Sequence, residues 1–481
     1  MRNLTLMTDL YQLTMMYGYY KHGMHKNKAV FDLFFRKRGE VSTLAVAAGL
    51  EQAIDYVKNI EFDEEDIAYL RSLKLFDEDF LAELRRLRFT GEIYAVPEGT
   101  IVFPMEPLLR VYAPIMEAQL LETTLLNIIN HQTLIATKAH RVVTAASGDT
   151  VMEFGLRRAQ GPDAGIYGAR AAIIAGCNST SNVLTGKLYH IPAAGTHAHS
   201  WVMSFENELE AFRAYARTFP DACLLLVDTY NTLKSGVPNA IKVFQELRAE
   251  GHEPLGIRLD SGDIAYLSIQ ARKMLDEAGF QNAKIVASSD LDEEIIWDLK
   301  AQGARIDSWG VGTKMITSYD NPALGGVYKM AIEEVDGVRH PRLKLSENPE
   351  KVTNPGYKKL YRIYNEEGYA VADLIALEHE QYDVSKPLTI FDPVDTWKQM
   401  TLTNYSMREL LVPVFVNGEQ VYQSPSLCEI KDYAKRERDS FYNEYKRLHK
   451  PHRYKVDLSQ ELWDMRRDLL TKISKSINEK K

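Results

Sequence analysis

Between residues 150 and 330, short apolar runs alternate with amphipathic stretches. The runs lie at 150–154, 224–228, 255–259, 284–287, 307–311 and 326–330, and helical spacing recurs at 206–218, 238–249, 265–278 and 292–301. Repeated strand-helix units of this kind predict a parallel sheet. Their number favours a (β/α) barrel of irregular or incomplete form, in which chemistry sits at the C-terminal strand ends. Ahead of this region the chain predicts a mixed α/β domain. It has a helix over 8–20, an alternating strand over 29–35 that ends in Arg36, Lys37 and Arg38, a helix over 49–57, and an acidic-basic helical pair over 61–88. Short antiparallel strands follow at 93–111, then a long helix at 117–145. Beyond 330 come strands and polar turns, where Lys344, Lys351, Lys358, Lys359 and Arg362 read as a solvated face, and from 423 a basic helical end. The expected domains are 1–135, 136–335 and a C-terminal domain, 336–481, that packs back on the first.

Each run in the middle region ends in polar or glycine residues: Glu153-Phe154-Gly155-Leu156-Arg157-Arg158, Asp228-Thr229-Tyr230-Asn231, Ser288-Ser289-Asp290 and Gly310-Val311-Gly312-Thr313-Lys314. The clearest is Gly256 to Asp263, where Arg258 and Asp260, two apart on a strand, share a face and the turn presents Ser261, Gly262 and Asp263. A guanidinium pairs with phosphate, and carboxylates accept from sugar hydroxyls or hold Mg²⁺. One such end is an ordinary surface ion pair. Five at the same end of a sheet point to one shared site for a phosphorylated sugar. Gly310 and Gly312 let backbone N–H groups approach a phosphate, Thr313 adds a hydroxyl, and late barrel strands are where such sites recur. Phe154 offers a face to a flat ring and Arg157 a partner for carboxylate or phosphate. In Gly195 to Trp201, His197 and His199 stand in a small-residue loop before a helix. That setting suits anion binding or phosphorylation of a ring nitrogen, against the plainer reading of two structural loop histidines. Their spacing and the lack of a third ligand nearby disfavour zinc.

The net charge of −8 argues against a general nucleic-acid binder. Cys177, Cys223 and Cys428 are too scattered for a disulfide framework or a zinc site. No signal segment and no apolar run of about 18 residues is visible, so cytoplasm is the expected location, with no membrane partner.

The segments TDLYQLTM, EFGLRRAQGPDAG, GCNSTSNVLTGK, GTHAHSW, VDTYN, IRLDSGD and SSDLDE run through most of the chain. Taken together they resemble the nicotinate phosphoribosyltransferases, of the type II phosphoribosyltransferase superfamily. The resemblance implies an α/β fold with an irregular barrel, an additional N-terminal domain and a C-terminal extension. It implies transfer of phosphoribosyl from 5-phosphoribosyl-1-diphosphate to nicotinate, giving nicotinate mononucleotide and diphosphate. ATP is the implied co-substrate, Mg²⁺ the implied cofactor, and a homodimer with shared active sites the implied assembly. By similarity, His199 is the phosphorylated histidine, with His197 the lesser candidate. Arg258, Asp260 and Asp263 bind the phosphoribosyl donor and its Mg²⁺. Ser289, Asp290, Gly310, Gly312 and Thr313 hold ribose and 5-phosphate. Phe154 and Tyr11, the latter from the other subunit, sandwich the pyridine. Arg157 and Asp228 line the pocket, with Thr137, His140 and Arg141 as further candidates. A relative acting on nicotinamide has an Asp within the stretch where this chain carries Thr180, Ser181 and Asn182; neutral donors there favour the acid. The alternatives are a nicotinamide- or quinolinate-using relative and a non-catalytic phosphate-sugar binding protein.

Overall fold

A computed structural model describes residues 3–36, 44–346, 348 and 351–478, which leaves Lys37 and Arg38 of the expected basic patch outside the described residues. The chain folds as two units, one formed by residues 135–322 and the other by 1–134 together with 323–481.

The middle unit holds six parallel strands: β1 (Thr150–Glu153), β2 (Ser179–Thr180), β3 (Leu224–Leu226), β4 (Gly256–Leu259), β5 (Lys284–Ser288) and β6 (Ser308–Val311). They are hydrogen-bonded in the order β2-β1-β6-β5-β4-β3. That order is the chain order turned into a ring, with the ladder broken only between β2 and β3. One irregular segment serves both free edges. Ala193 bridges to Thr180 in parallel, and the Ala194 N–H donates to the Thr180 carbonyl at 2.9 Å. On the far side the Thr196 hydroxyl donates to the Leu224 carbonyl, and the Leu226 N–H to His197 Nε2 at 3.2 Å. The result is the expected irregular barrel, closed along one seam by backbone bonds on the β2 side and side chains on the β3 side.

Helices fill the crossovers: α1 (Pro162–Ile174), α2 (Glu208–Thr218), α3 (Val237–Ala249), α4 (Ile264–Glu277) and α5 (Glu293–Ala301). Several starts are written in the sequence. Asn207, Asp263 and Asp292 cap α2, α4 and α5 by accepting the N–H of Glu210, Tyr266 and Ile295 at 3.1, 2.9 and 2.9 Å. Leu225, Ile257, Ile285 and Trp309 are completely buried, as strands covered on both faces require.

The other unit is built on a seven-stranded antiparallel sheet and a six-stranded mixed sheet. The run expected at 326–330 to continue the barrel belongs here instead. Gly326–Val335 pairs antiparallel with Lys28–Phe35, Tyr328 opposite Leu33. The Tyr328 ring stacks on Phe31 at 4.8 Å, and its hydroxyl donates to the Ala118 carbonyl at 2.8 Å. A five-residue apolar run carries no mark of parallel or antiparallel pairing, and partners far along the chain decided it. The solvated face expected at 344–362 is also corrected at two positions. Lys358 is buried, paired with Asp32 at 2.7 Å and donating to the Gly356 carbonyl at 2.7 Å. Arg362 is buried and grips Asp373 through Nε and Nη2 at 2.9 and 2.6 Å. Among the described residues no helix is long and apolar enough to cross a membrane.

Candidate active site

Parallel strands put all their C-terminal ends at one rim, and the predicted residues collect there. Arg258 of β4 donates from Nη2 to Asp260 Oδ1 at 2.8 Å and from Nε to Ser288 Oγ, at the end of β5, also at 2.8 Å. The Ser288 hydroxyl donates in turn to Asp260 Oδ1. Asp228, just past β3, accepts the Asp260 N–H at 2.8 Å and the Ser261 hydroxyl at 2.7 Å through Oδ2. Its Oδ1 is buried without a hydrogen-bond partner. Burial pushes the Asp260 carboxyl up, but the Ser288 hydroxyl, the Arg258 guanidinium and His199 more than offset this and leave it below the usual carboxylate range. Three strand ends thus share one network with an ionised carboxylate at its centre.

Phe154, past β1, lies beside this network, 5.9 Å from the Arg258 guanidinium. Gly310 of β6 makes room for it: a Cβ there would stand 2.6 Å from the Phe154 ring. At Gly312 a Cβ would come 3.0 Å from the Phe154 carbonyl. The first glycine is required by the aromatic ring, and at the second a side chain would crowd the ring's own backbone. Ser289 and Asp290 form a turn with φ of 111° and 34°, both side chains exposed. Thr313 opens a single helical turn (Thr313–Ile316), and Lys314 is paired with Asp292 at 2.7 Å.

The two histidines separate cleanly. His199 is half-buried; its Nδ1 meets the Thr229 hydroxyl at 3.1 Å and its Nε2 faces Asp260 Oδ2 at 3.7 Å. His197 is buried, edge-on to Tyr215, and holds the barrel seam. Burial brings its pKa down to about 4, with smaller contributions from Arg258 and His199. The unfolded chain takes up a proton near pH 6.5 that the folded chain refuses until about pH 4. His197 therefore contributes stability that is complete above pH 6.5 and is lost as pH falls through that window, by up to about 3 kcal/mol. Urea unfolding of wild type and His197→Gln from pH 7 to pH 4 checks this; equal slopes of stability against pH in both would refute it.

Other predicted residues stand apart. Thr180 is completely buried, its hydroxyl donating to Glu153 Oε2 at 2.6 Å, so it is not open to a ligand, whereas Ser181 beside it is half-buried. Arg157 is exposed on the turn Leu156–Arg158. Asp263 is exposed and uses one oxygen to cap α4. Thr137, His140 and Arg141 are buried on the helix Glu122–Ala146, and Arg141 is bound to Glu293 at 2.6 Å beside the Lys138–Glu293 pair at 2.7 Å. Tyr11 belongs to the other unit, 48% exposed on the helix Leu10–Lys21. Ser288, Thr229 and Ser261 carry no signal of a role in the sequence; only the cross-strand bonds reveal one. Among the described residues no cluster of three or more His, Cys, Asp or Glu could hold a metal by itself. Mg²⁺ normally takes one or two carboxylates together with substrate phosphates, and the unpartnered Asp228 Oδ1 with the Asp260 Oδ2 that faces His199 fits that pattern.

The chain matches three family models: the nicotinate phosphoribosyltransferase N-terminal domain over residues 6–130, the nicotinate phosphoribosyltransferase family over 150–373, and its C-terminal domain over 357–466. It is 50% identical over 478 residues to the nicotinate phosphoribosyltransferase of Bacillus subtilis (strain 168), covering 99% of this chain and 97% of that one. The crystal structure of human nicotinic acid phosphoribosyltransferase matches with a TM-score of 0.84 at 31% identity, over 96% of this chain and 99% of that one. The nicotinate-nucleotide pyrophosphorylase of Pyrococcus furiosus shares the fold, with a TM-score of 0.71 at 22% identity over 91% and 96% of the two chains. A ring of polar strand ends on a type II phosphoribosyltransferase barrel, with full-length relatives on both sides of the comparison, shows that this chain belongs to the nicotinate phosphoribosyltransferase family.

Proposed function

We propose that the strand ends of the barrel hold 5-phosphoribosyl-1-diphosphate against nicotinate, and that His199 couples the transfer to ATP. The enzyme is a nicotinate phosphoribosyltransferase by family, and the reaction gives nicotinate mononucleotide and diphosphate, an entry of the pyridine acid into NAD. The observation that carries the assignment of residues is the Arg258–Asp260–Ser288–Asp228 network at the rim.

In the transfer, the bond from the anomeric carbon to diphosphate breaks and the pyridine nitrogen lone pair forms the new bond. Positive charge develops on the ribose, so the transition state resembles an oxocarbenium ion. No side-chain nucleophile is needed. Arg258 offers fixed donors to a departing phosphate, and Asp260 and Asp228 place negative charge beside the sugar. Mg²⁺, when bound, neutralises the leaving diphosphate; the unpartnered Asp228 Oδ1 and the Asp260 Oδ2, with Asp263, would hold it. Ser289, Asp290, Gly310, Gly312 and Thr313 bracket the ribose 5-phosphate, and Phe154 and the Tyr11 of a second subunit sandwich the ring, with Arg157 at the rim. This reading implies a homodimer acting in the cytoplasm. His199 accepts the ATP γ-phosphoryl on a ring nitrogen as ADP departs, water later takes it off as phosphate, and Thr229 orients the ring.

Choice of the acid over the amide falls to the end of β2, where Ser181 supplies a neutral side chain. An Asp there would repel a substrate carboxylate by several kcal/mol in a partly desolvated pocket. Product formation from nicotinate, nicotinamide and quinolinate, each with the diphosphate donor and ATP, tests the reading. Wild type is expected to use nicotinate, and Ser181→Asp to lose about 10²-fold in kcat/KM for it. An unchanged kcat/KM in the variant would remove this residue from the pocket.

A further inference from the structure

Glu153 ends β1 with its side chain wholly inside the barrel wall, and no step above uses it. Both carboxylate oxygens are engaged. Oε2 accepts the Thr180 hydroxyl at 2.6 Å, and Oε1 accepts the Gly155 N–H. The Glu153 carbonyl accepts the Ser181 N–H at 2.9 Å, and the Thr180 hydroxyl also accepts the Asn182 N–H at 3.0 Å. One residue therefore ties the end of its own strand to the end of β2. Burying a carboxylate is costly even when it is hydrogen-bonded, and a well-packed apolar residue would serve folding as well. Burial also pushes this carboxyl up, which Thr180 and Gly155 only partly oppose.

The geometry gives this buried side chain a task. Phe154 lies between the two halves of the clamp. Its N–H donates to the Val311 carbonyl at 2.8 Å, and its ring rests on Gly310. Gly155 must be glycine for the clamp to close, since a Cβ there would stand 2.4 Å from Ile316 and 2.8 Å from Glu153 Oε1. On the other strand, Ser181 follows Thr180 directly. The carboxylate thus bonds the residue after the aromatic on one strand and the residue before the neutral group on the other.

We propose that Glu153, acting through Thr180 and Gly155, is a positioning residue that sets the distance between Phe154 and Ser181 and so the fit of the pyridine acid. The inference rests on the reading that Phe154 and Ser181 contact nicotinate. The experiment is steady-state kinetics with nicotinate and the diphosphate donor varied separately, on proteins whose thermal unfolding is recorded alongside. Thr180→Val, which keeps shape and removes the hydroxyl, is expected to raise KM for nicotinate about tenfold while KM for the donor stays within about twofold. Thr180→Ser should restore the wild-type value. Glu153→Leu should match or exceed the Val effect, and Glu153→Gln, whose oxygen can accept from Gly155 while its NH2 donates to the Thr180 hydroxyl, should recover part of it. Should Glu153→Leu fail to fold, the Thr180 pair decides alone. An unchanged nicotinate KM in Thr180→Val, or a rise in both KM values together, overturns the proposal. Phe154→Ala separates the two readings: a raised nicotinate KM there with none in Thr180→Val sinks the clamp alone, and no change in either sinks the pocket assignment as well.

Discussion

Replacing Arg258 by Ala is expected to lower kcat/KM for the phosphoribosyl donor by about 10²–10³-fold, the usual effect of removing one preorganised donor from developing charge. The side chain does two things at once. It presents its guanidinium at the rim, and it holds Asp260 and Ser288 in place through bonds of 2.8 Å each. Without it, the Asp260 carboxyl loses one of the groups that keep it ionised, so the acid limb of the pH-rate profile should move upward as well. Arg258→Lys restores charge without the planar fork and should remain at least about tenfold down. Initial rates with varied donor at saturating nicotinate measure all three. A loss of less than tenfold in the Ala variant, with the fold intact, would mean that the network does not grip the donor.

The second large effect concerns ATP. His199→Ala is expected to abolish both incorporation of the γ-phosphoryl of labelled ATP into protein and the stimulation of nicotinate mononucleotide formation by ATP. Transfer without ATP should persist at its basal rate, because no bond change at the ribose passes through the imidazole. His197→Gln should still become phosphorylated, since His197 is buried and its Nε2 is occupied by the Leu226 N–H. Label retained in His199→Ala would move the modification elsewhere and remove the proposed coupling. Loss of basal transfer to the same degree as ATP stimulation would make His199 part of the transfer chemistry itself.

Much of this architecture was legible in advance because its signals are local. The strands at 150–153, 224–226, 256–259, 284–288 and 308–311 are short apolar runs bounded by caps and turns, and each sits within the expected run or one residue from it. Their ends were legible too, since polar residues that follow a buried strand have few other reasons to recur. What escaped depended on distant partners. The two-residue strand Ser179–Thr180 is too short to show a period. The strand starting at Gly326 looks the same in sequence whether it pairs in parallel or not. Lys358 and Arg362 read as surface because burial of a cation is visible only once Asp32, Asp373 and Glu437 are brought to it. In the site, residue types were readable but commitments were not. Thr180 and Arg141 had the right chemistry, yet their polar atoms are engaged by Glu153 and Glu293, and Asp263 spends one oxygen on the start of α4. Ser288 and Thr229, plain in sequence, acquire roles because neighbouring strands place Arg258 and His199 beside them.

The wall of the barrel is continuous backbone ladder everywhere except where Ala193 to His197 passes between two edges. Sliding any true strand would break a whole row of amide pairs together. Here only a handful of contacts, several of them from side chains, resist displacement. His199 follows two residues after the last of them, so the imidazole is mounted on the stave of the cask held by the fewest backbone bonds. Under the proposed coupling, a phosphoryl group attached there would be carried by the segment with the fewest amide pairs, outside the strand ladder that holds Arg258.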